Sequence, residues 1–206
     1  MQEAIVLIGP TGSGKSPLGQ LLANRGLWGR RCVHFDFGAT LRQIAAGWEQ
    51  GDFNQSEIRF VRNVLETGAL LEDSDFHIAL RALQAELTAQ DADEDCLIAL
   101  NGLPRHVGQA RDLHTAANVS TVVVLHCSPE VVSRRIATNS GGDRTGRRDD
   151  NLDAIAKRLE IFAQRTKPLA DFYRDSGRAV YTIEVTETTT PQEIVDELNR
   201  RRPLQE

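Results

Sequence analysis

The sequence predicts a three-layer α/β sandwich, with a five-stranded parallel sheet covered by helices on both faces. Short apolar, strand-like runs alternate along the chain with segments of helical period, which is typical of parallel sheets buried on both sides. The chain of 206 residues is long enough to bury a full core. We therefore expect one α/β domain, 1–206, with small insertions.

The predicted elements follow in chain order. The strand-like runs are Ala4–Ile8, Cys32–Phe35, Cys96–Leu100, Thr121–Cys127 and Ala179–Ile183. Helical periodicity predicts helices at about 15–25, 40–48, 56–67, 74–90, 106–116, 129–137, 151–175 and 191–201. Pro129 and Pro191 lie near predicted helix starts, where the missing N–H of proline costs little.

Two segments are additional to the strands and helices that a minimal β-α-β alternation needs. Residues from about 38 to 72 place two helical patterns between the second and third strands. Residues from about 138 to 148 are glycine-rich, polar and basic, and they lack an apolar period. We expect both to be insertions on the loop side of the sheet, where ligands bind in open α/β folds.

Charge and composition exclude several classes of protein. The net charge of −5 does not suggest a nucleic-acid binder, which is usually basic. No apolar stretch approaches the roughly 18 to 20 residues of a membrane span, and the N-terminus lacks the pattern of a signal peptide. Cys32, Cys96 and Cys127 are far apart and form no C-x-x-C pair, so we expect three small buried residues in a reduced compartment. The predicted location is the cytoplasm, and no protein partner is evident.

A phosphate-binding pattern, G-x-x-x-x-G-K-[ST], follows the first predicted strand at Gly9–Ser16, which we call the phosphate loop. Its glycines allow backbone N–H groups to point at phosphate oxygens, and the next helix adds the positive end of its dipole. Lys15 can contact the β- and γ-phosphates, and the Ser16 hydroxyl can ligate magnesium. The alternative is a glycine-rich turn that binds nothing. The complete match in a strand–loop–helix setting favours a nucleoside triphosphate site.

Several arginines lie next to the predicted insertions. One arginine alone is usually a solvated surface residue, whereas a cluster at the loop edge favours a clamp for two phosphate-bearing substrates. Phosphoryl transfer depends mostly on positioning and positive charge, so such a clamp suits that chemistry. Asp149 and Asp150 either orient the arginines or begin the next helix. The arginines are Arg42, Arg105, Arg134, Arg135, Arg144, Arg147, Arg148 and Arg158.

In this order and spacing, the chain resembles the adenylate kinases of the nucleoside monophosphate kinase family, nearly from end to end. The similar segments are the phosphate loop, Phe35–Arg42, Gly68–Asp73, Asn101–Arg105 with Gln109, Arg135, Gly146–Asp150, Lys157–Leu159, Thr166–Leu169 and Phe172-Tyr173. The resemblance implies a single P-loop kinase domain. It also implies a nucleoside monophosphate-binding insertion at 38–67 and a short lid at 137–148, which close to exclude water.

The resemblance also implies roles for particular residues. The implied catalytic residues are Lys15, Arg105, Arg147 and Arg158. The implied ATP-binding residues are Gly9, Gly12, Ser13, Gly14, Lys15 and Ser16, with Arg135 stacking on the ATP base. The implied acceptor-binding residues are Gly38, Arg42, Leu71, Gly102, Arg105, Gln109, Arg147 and Arg158. The implied cofactor is Mg²⁺ at Ser16, with Asp36 or Asn101 acting through water.

The chain departs from the family pattern near both substrates. Asn101 replaces an aspartate near magnesium, and Asn139 stands where a lid arginine is expected, with Arg144 close by. Phe37 and Ala39 replace a threonine and an aspartate beside the AMP site. Asp36 therefore either caps the following turn or supplies the missing carboxylate. Phe37 either packs at the hinge of the insertion or offers a flat apolar surface to a purine.

The expected activity is magnesium-dependent transfer of the γ-phosphate of ATP to a nucleoside monophosphate, with AMP as the first choice. One alternative is the same chemistry on another monophosphate or small acceptor. A second alternative is a nucleotide-binding sensor with weakened catalysis. Retention of Lys15, Arg42, Arg105, Arg147 and Arg158 argues against the sensor, while Asn101 argues for it.

Overall fold

A computed structural model describes residues 1–143 and 152–201 of the chain, and it confirms the predicted parallel sheet. Predicted and observed strand ends differ by three residues at most. The strand order is β2-β3-β1-β4-β5, so the chain crosses from β1 to the sheet edge and back. The strands are β1 (Glu3–Ile8), β2 (Cys32–Asp36), β3 (Leu97–Asn101), β4 (Asn118–His126) and β5 (Ala179–Glu184).

Helices connect the strands. Asn54 and Thr190 begin two of them with capping boxes, in which the cap side chain and a glutamate three residues later exchange hydrogen bonds with the backbone. In the described residues the α-helices are α1 (Lys15–Arg25), α2 (Phe37–Ala45), α3 (Gln55–Thr67), α4 (Phe76–Ala89), α5 (Val107–Leu113), α6 (Pro129–Thr138), α7 (Leu152–Ile161), α8 (Leu169–Asp175) and α9 (Pro191–Arg200). A 3₁₀ turn (Asp73–Asp75) precedes α4, and a π-helical turn (Phe162–Thr166) follows α7.

The two faces of the sheet bury separate apolar cores. Alternate residues of β1 point to opposite faces, as the pleat of a strand requires. Val6 and Ile8 belong to a core with α2, α3, α4, α5 and α8, while Ile5 and Leu7 pack with α1 and α9. This arrangement gives three layers, with the carboxyl ends of the strands along one edge of the sheet.

The bounds of several predicted helices differ from the observed ones, and for two of them the structure shows the reason. α2 begins at Phe37 rather than near residue 40, because the Asp36 carboxylate accepts a hydrogen bond from the Ala39 N–H and caps the helix. The helix predicted at 151–175 is interrupted by the π turn and resumes as α8. Pro168 lies at the interruption, and its missing N–H removes one helical hydrogen bond.

The sequence also predicted three buried cysteines and no membrane-spanning segment. Cys32 and Cys96 are buried free thiols, as expected, whereas Cys127 is only partly buried. Within the described residues, no helix is both long and apolar enough to cross a membrane.

Candidate active site

The phosphate loop joins β1 to α1 at the carboxyl edge of the sheet. Gly12 and Gly14 have φ angles of 80° and 97°, in the left-handed region that glycine adopts without strain. Gly14 is also the N-cap of α1, so the loop ends where the positive end of that helix begins. Gly14 of the pattern and Gly12 between its fixed positions therefore supply the turn that a phosphate-binding loop needs.

Lys15 bends back over this loop. Its Nζ donates hydrogen bonds to the carbonyl oxygens of Gly9, at 2.7 Å, and Pro10, at 2.8 Å. Burial and, to a smaller extent, the charge of Arg105 lower the pKa of Lys15 to about 8, while the charge of Asp36 acts in the opposite direction. An anionic phosphate beside Nζ would favour the charged form.

Ser16, Asp36 and Asn101 form a hydrogen-bonded triangle below the loop. The Ser16 hydroxyl donates to Asp36 Oδ2 at 2.6 Å. Asn101 Nδ2 donates to the same carboxylate oxygen at 2.8 Å and to Ser16 Oγ at 3.0 Å. Burial alone would raise the pKa of Asp36, but the hydrogen bonds from Ser16 and the Ala39 N–H hold it below its ordinary value.

Asp36 thus makes both kinds of contact that the sequence left open. One carboxylate oxygen caps α2, and the other lies beside the predicted magnesium ligand Ser16. A role of Asp36 at the metal remains a prediction.

The oxygen atoms of this triangle fit a hard cation such as Mg²⁺, which takes oxygen ligands and keeps several waters. Across residues 1–143 and 152–201, no three His, Cys, Asp or Glu side chains come together as a metal cage. A magnesium ion here would therefore depend on oxygens from water and substrate phosphates in addition to Ser16.

Three arginines from separate elements line one cavity above the phosphate loop. Arg42 comes from α2, Arg105 from the loop after β3, and Arg158 from α7. Burial lowers the pKa of Arg105 to about 10, with a smaller contribution from the charge of Arg158. Partly desolvated cations facing one cavity are suited to a polyanionic ligand. The predicted site residues in the lining are Gly9, Gly12, Gly14, Lys15, Ser16, Asp36, Gly38, Arg42, Asn101, Gly102, Arg105 and Arg158.

The cavity also contains residues that the predicted site did not include. Phe162 and Thr166 follow Arg158 at intervals of four residues, so their spacing on one helical segment was the available signal. Asp143 lines the cavity from the segment after α6. The remaining additional lining residues are Leu7, Thr11, Leu41, Val64, Leu65, Gly68, Ala69 and Pro104.

Gln109 and Leu71 lie behind the cavity wall rather than in the lining. Gln109 is fully buried, and its Nε2 donates to the Leu71 carbonyl at 2.8 Å while its Oε1 accepts from the Arg105 N–H at 2.7 Å. His106 Nε2 contacts the same carbonyl at 3.1 Å. Because a carbonyl can only accept, these contacts fix the orientation of the Gln109 amide. Its contact with an acceptor base remains a prediction.

Arg135 is buried between the phosphate loop and the loop after β5. Its Nε donates to the Gly12 carbonyl at 3.1 Å. Its Nη1 lies within hydrogen-bonding distance of the carbonyls of Thr186, Glu187 and Thr189, at 2.9, 3.2 and 3.1 Å. Arg135 therefore connects two loops, and its predicted stacking on the ATP base remains a prediction. Ser13, inside the phosphate loop, is also buried.

Phe37 packs in the core. Its side chain is 3% exposed, and its ring lies 5.9 Å from that of Phe35. Two interpretations of Phe37 were open. The structure shows the one in which the ring packs at the start of the insertion.

Some predicted residues lie outside the described residues. They are Arg144, Gly146, Arg147, Arg148, Asp149 and Asp150. Of the predicted lid at 137–148, the structure describes 137–143.

Comparison with known proteins supports the resemblance to adenylate kinases. The family model for adenylate kinase matches residues 7–178. The chain is 31% identical to the adenylate kinase of Stenotrophomonas maltophilia strain K279a, over 84% of this chain and 86% of that protein. It is 30% identical to the adenylate kinase of Synechococcus sp. strain WH7803, over 86% of this chain and 87% of that protein.

A solved structure supports the fold alone. The chain is similar to the unliganded crystal structure of a sugar kinase from Janibacter sp. HTCC2649, with a TM-score of 0.52 and 16% identity. The match covers 96% of this chain and 92% of that one. Since the family model spans most of the sequence, the chain belongs to the adenylate kinase family and is a nucleoside monophosphate kinase.

Proposed function

We propose that this kinase transfers the γ-phosphoryl group of ATP to AMP and so produces two molecules of ADP. The observation that carries the proposal is the convergence of Lys15 with Arg42, Arg105 and Arg158 on one cavity. Two phosphate-bearing substrates repel each other when they meet, and four cations from four separate elements counter that repulsion. Little else is required of the protein, since phosphoryl transfer depends on positioning and electrostatic stabilisation.

We place ATP on the phosphate loop and AMP on the opposite side of the cavity. Gly9, Gly12, Ser13, Gly14, Lys15 and Ser16 would hold the triphosphate, with Arg135 at the base. Arg42 would bind the AMP phosphate. The segment 38–67 would be the AMP-binding insertion, because Leu41, Val64 and Leu65 give it an apolar side facing the cavity.

In the transfer step, an oxygen of the AMP phosphate attacks the γ-phosphorus, and the bond from that phosphorus to the β-phosphate oxygen breaks. The attacking group is already an anion, so neither a general base nor a covalent enzyme intermediate is needed. Lys15, Arg105 and Arg158, with Arg147, would neutralise charge on the transferred group. Closure of the lid at 137–148 would exclude water and limit hydrolysis of ATP.

Mg²⁺ is the proposed cofactor. Ser16 would hold it directly, and Asp36 and Asn101 would contact its bound water. When bound, the ion supplies positive charge at the β- and γ-phosphates of ATP.

A coupled assay with ATP, magnesium and a panel of AMP, GMP, CMP and UMP tests the proposal. We expect AMP to give the highest kcat/KM, with a relaxed preference for purines. ³¹P NMR should show two molecules of ADP formed for each ATP and AMP consumed. A clear preference for a pyrimidine monophosphate would overturn the choice of AMP. ATP hydrolysis that no monophosphate stimulates would overturn the transfer itself.

A matched pair of variants tests the proposed placement of AMP. Arg42→Met should raise the KM for AMP and leave the KM for ATP unchanged, because Arg42 lies on the insertion side of the cavity. Arg62→Met is the control, since Arg62 lies on α3 and donates to the Ala45 carbonyl at the protein surface. Equal effects of the two substitutions on AMP would contradict the assignment.

A further inference from the structure

The π turn after α7 narrows the angular spread of three cavity residues that recur at intervals of four positions. In an α-helix, Thr166 would be rotated by about 80° from Arg158, eight residues earlier. The wider π turn contains an i→i+5 hydrogen bond, from the Lys167 N–H to the Phe162 carbonyl at 2.8 Å. Arg158, Phe162 and Thr166 consequently all line the cavity.

Thr166 uses this position to contact the main chain of Arg105. Its side chain is 8% exposed, and its hydroxyl donates to the Arg105 carbonyl at 2.8 Å. On the other side, the Arg105 N–H donates to Gln109 Oε1 at 2.7 Å. Both polar groups of the Arg105 backbone are therefore held by side chains from other elements, the π turn and α5.

The position of Arg105 requires such support. Arg105 and Arg158 are like charges that face the same cavity, and burial together with the charge of Arg158 lowers the pKa of Arg105. Their repulsion favours separation of the loop after β3 from the helical segment after the lid. The hydrogen bond from Thr166 joins these two segments, since Thr166 belongs to the segment that carries Arg158.

We propose that Thr166 is a positioning residue for phosphoryl transfer. Its hydroxyl holds the Arg105 main chain against the segment of Arg158, so that both guanidinium groups point at one phosphoryl group. The inference rests on the proposed function. It adds an uncharged residue that acts on the reaction through the main chain of Arg105.

Three variants test this role in an assay with ATP and whichever monophosphate of the panel is turned over fastest. Thr166→Val keeps the shape of the side chain but removes the hydrogen bond, and we expect kcat to fall about 10-fold or more with little change in the KM for ATP. Thr166→Ser keeps the hydroxyl and should restore kcat to within about 3-fold of the wild type. Thr88→Val is the control, because the Thr88 hydroxyl also donates to a carbonyl, that of Gln84, but far from the cavity.

The same variants in an Arg158→Lys background separate positioning from simple stabilisation. If Thr166 acts through the two arginines, the effects of Thr166→Val and Arg158→Lys on kcat should be non-additive, whereas their effects on melting temperature should add. Wild-type kcat in a folded Thr166→Val protein, or equal losses in the Val and Ser variants, would overturn the inference. Failure of the proposed function is distinguishable, because the wild-type enzyme itself would then lack transfer activity.

Discussion

Asp36 and Asn101 are partners in the register of β2 and β3, and the Asn101 amide donates to the Asp36 carboxylate at 2.8 Å. The family pattern has an aspartate at the end of the third strand. This chain has Asn101 there, and the carboxylate lies instead on the neighbouring strand, at Asp36. Both side chains also lie within hydrogen-bonding distance of Ser16. The negative charge thus stays at the same edge of the sheet.

The first prediction follows from this relationship. Asp36→Asn should lower activity roughly 10-fold or more and raise the magnesium requirement, the low end of the effect expected for a partner of metal-bound water. Folding should survive, because asparagine also caps helices well. Asn101→Asp should keep or raise activity and lower the magnesium requirement, since it adds a second carboxylate. Magnesium titrations of activity measure both effects.

The double exchange Asp36→Asn with Asn101→Asp is the matched control. It keeps a single carboxylate in the triangle but returns it to β3, so it should recover much of the lost activity. If Asp36→Asn leaves the rate and the magnesium dependence unchanged, Asp36 has no role at the metal and only caps α2.

The second prediction concerns Lys15→Met. Transfer should fall roughly 10²-fold or more, because the variant removes a charge that stabilises the transition state. The variant should still fold, because the loop conformation depends on Gly12 and Gly14. Single-turnover kinetics on the folded variant provide the measurement. Near wild-type transfer would refute the assignment of Lys15 to the phosphates.

The third prediction is a pH dependence caused by Lys15. Its pKa is about 8 in the folded protein and 10.5 for a solvent-exposed lysine, so the unfolded chain binds more protons between these values. The contribution of Lys15 to the free energy of unfolding should therefore rise with pH across this window and stay constant below pH 8. ATP favours the charged lysine, so ATP affinity should decline as the pH rises above about 8.

The Lys15→Met protein isolates this effect, because other titrating groups are common to both proteins. Calorimetric ATP affinities between pH 7 and pH 10 should show the extra decline only in the wild type. Parallel curves for the two proteins would mean that Lys15 does not titrate in this range.

The fourth prediction separates packing from recognition at Phe37. Phe37→Leu should lower the free energy of unfolding by about 1 kcal/mol, as for a core substitution that nearly conserves volume. The order of AMP, GMP, CMP and UMP as acceptors should not change, because the ring lies in the core. Phe35→Leu, at the adjacent buried ring, should behave in the same way. A changed purine-to-pyrimidine ratio in Phe37→Leu alone would show contact with the base.

The fifth prediction concerns Arg135, whose side chain is 4% exposed. Arg135→Met leaves the carbonyls of Gly12 and the loop after β5 without their donor, and it should cost about 3 kcal/mol of unfolding free energy. The KM for ATP should rise as the phosphate loop loosens. Arg134→Met is the control, because Arg134 pairs with Glu187 at the surface, a contact worth about 1 kcal/mol or less. Equal unfolding midpoints for the two variants would contradict this account.

The sequence was sufficient for the sheet and the phosphate loop, because both depend on local patterns. Alternation of Ile5, Val6 and Leu7 between two cores follows from the pleat of a strand, and the left-handed turns at Gly12 and Gly14 follow from the residue type. The meeting of Asp36 with Asn101 could be expected in outline, because parallel strands end at a common edge.

Other parts of the site depend on contacts that no local pattern contains. Three carbonyl partners of Arg135 lie 51 to 54 positions away and the fourth, that of Gly12, lies 123 positions away. The acceptor of the Thr166 hydroxyl lies 61 positions away. Periodicity predicted one helix over 151–175, although Pro168 was a local signal of the interruption. The burial of Phe37 likewise depended on neighbours from other elements.

The π turn at Phe162–Thr166 holds one residue more than a regular α-helical turn would. Deleting one residue there would return the segment to regular α-helical geometry and leave the parts on either side nearly in their present orientation, because the wider turn already takes up the extra residue. Arg158 and Phe162 face the cavity on one side of the turn, while Leu169 and Tyr173 are fully buried in the core on the other. A shortened segment could therefore keep both pairs in place. What the extra residue adds is the position of Thr166, whose hydroxyl reaches the Arg105 carbonyl from the π turn.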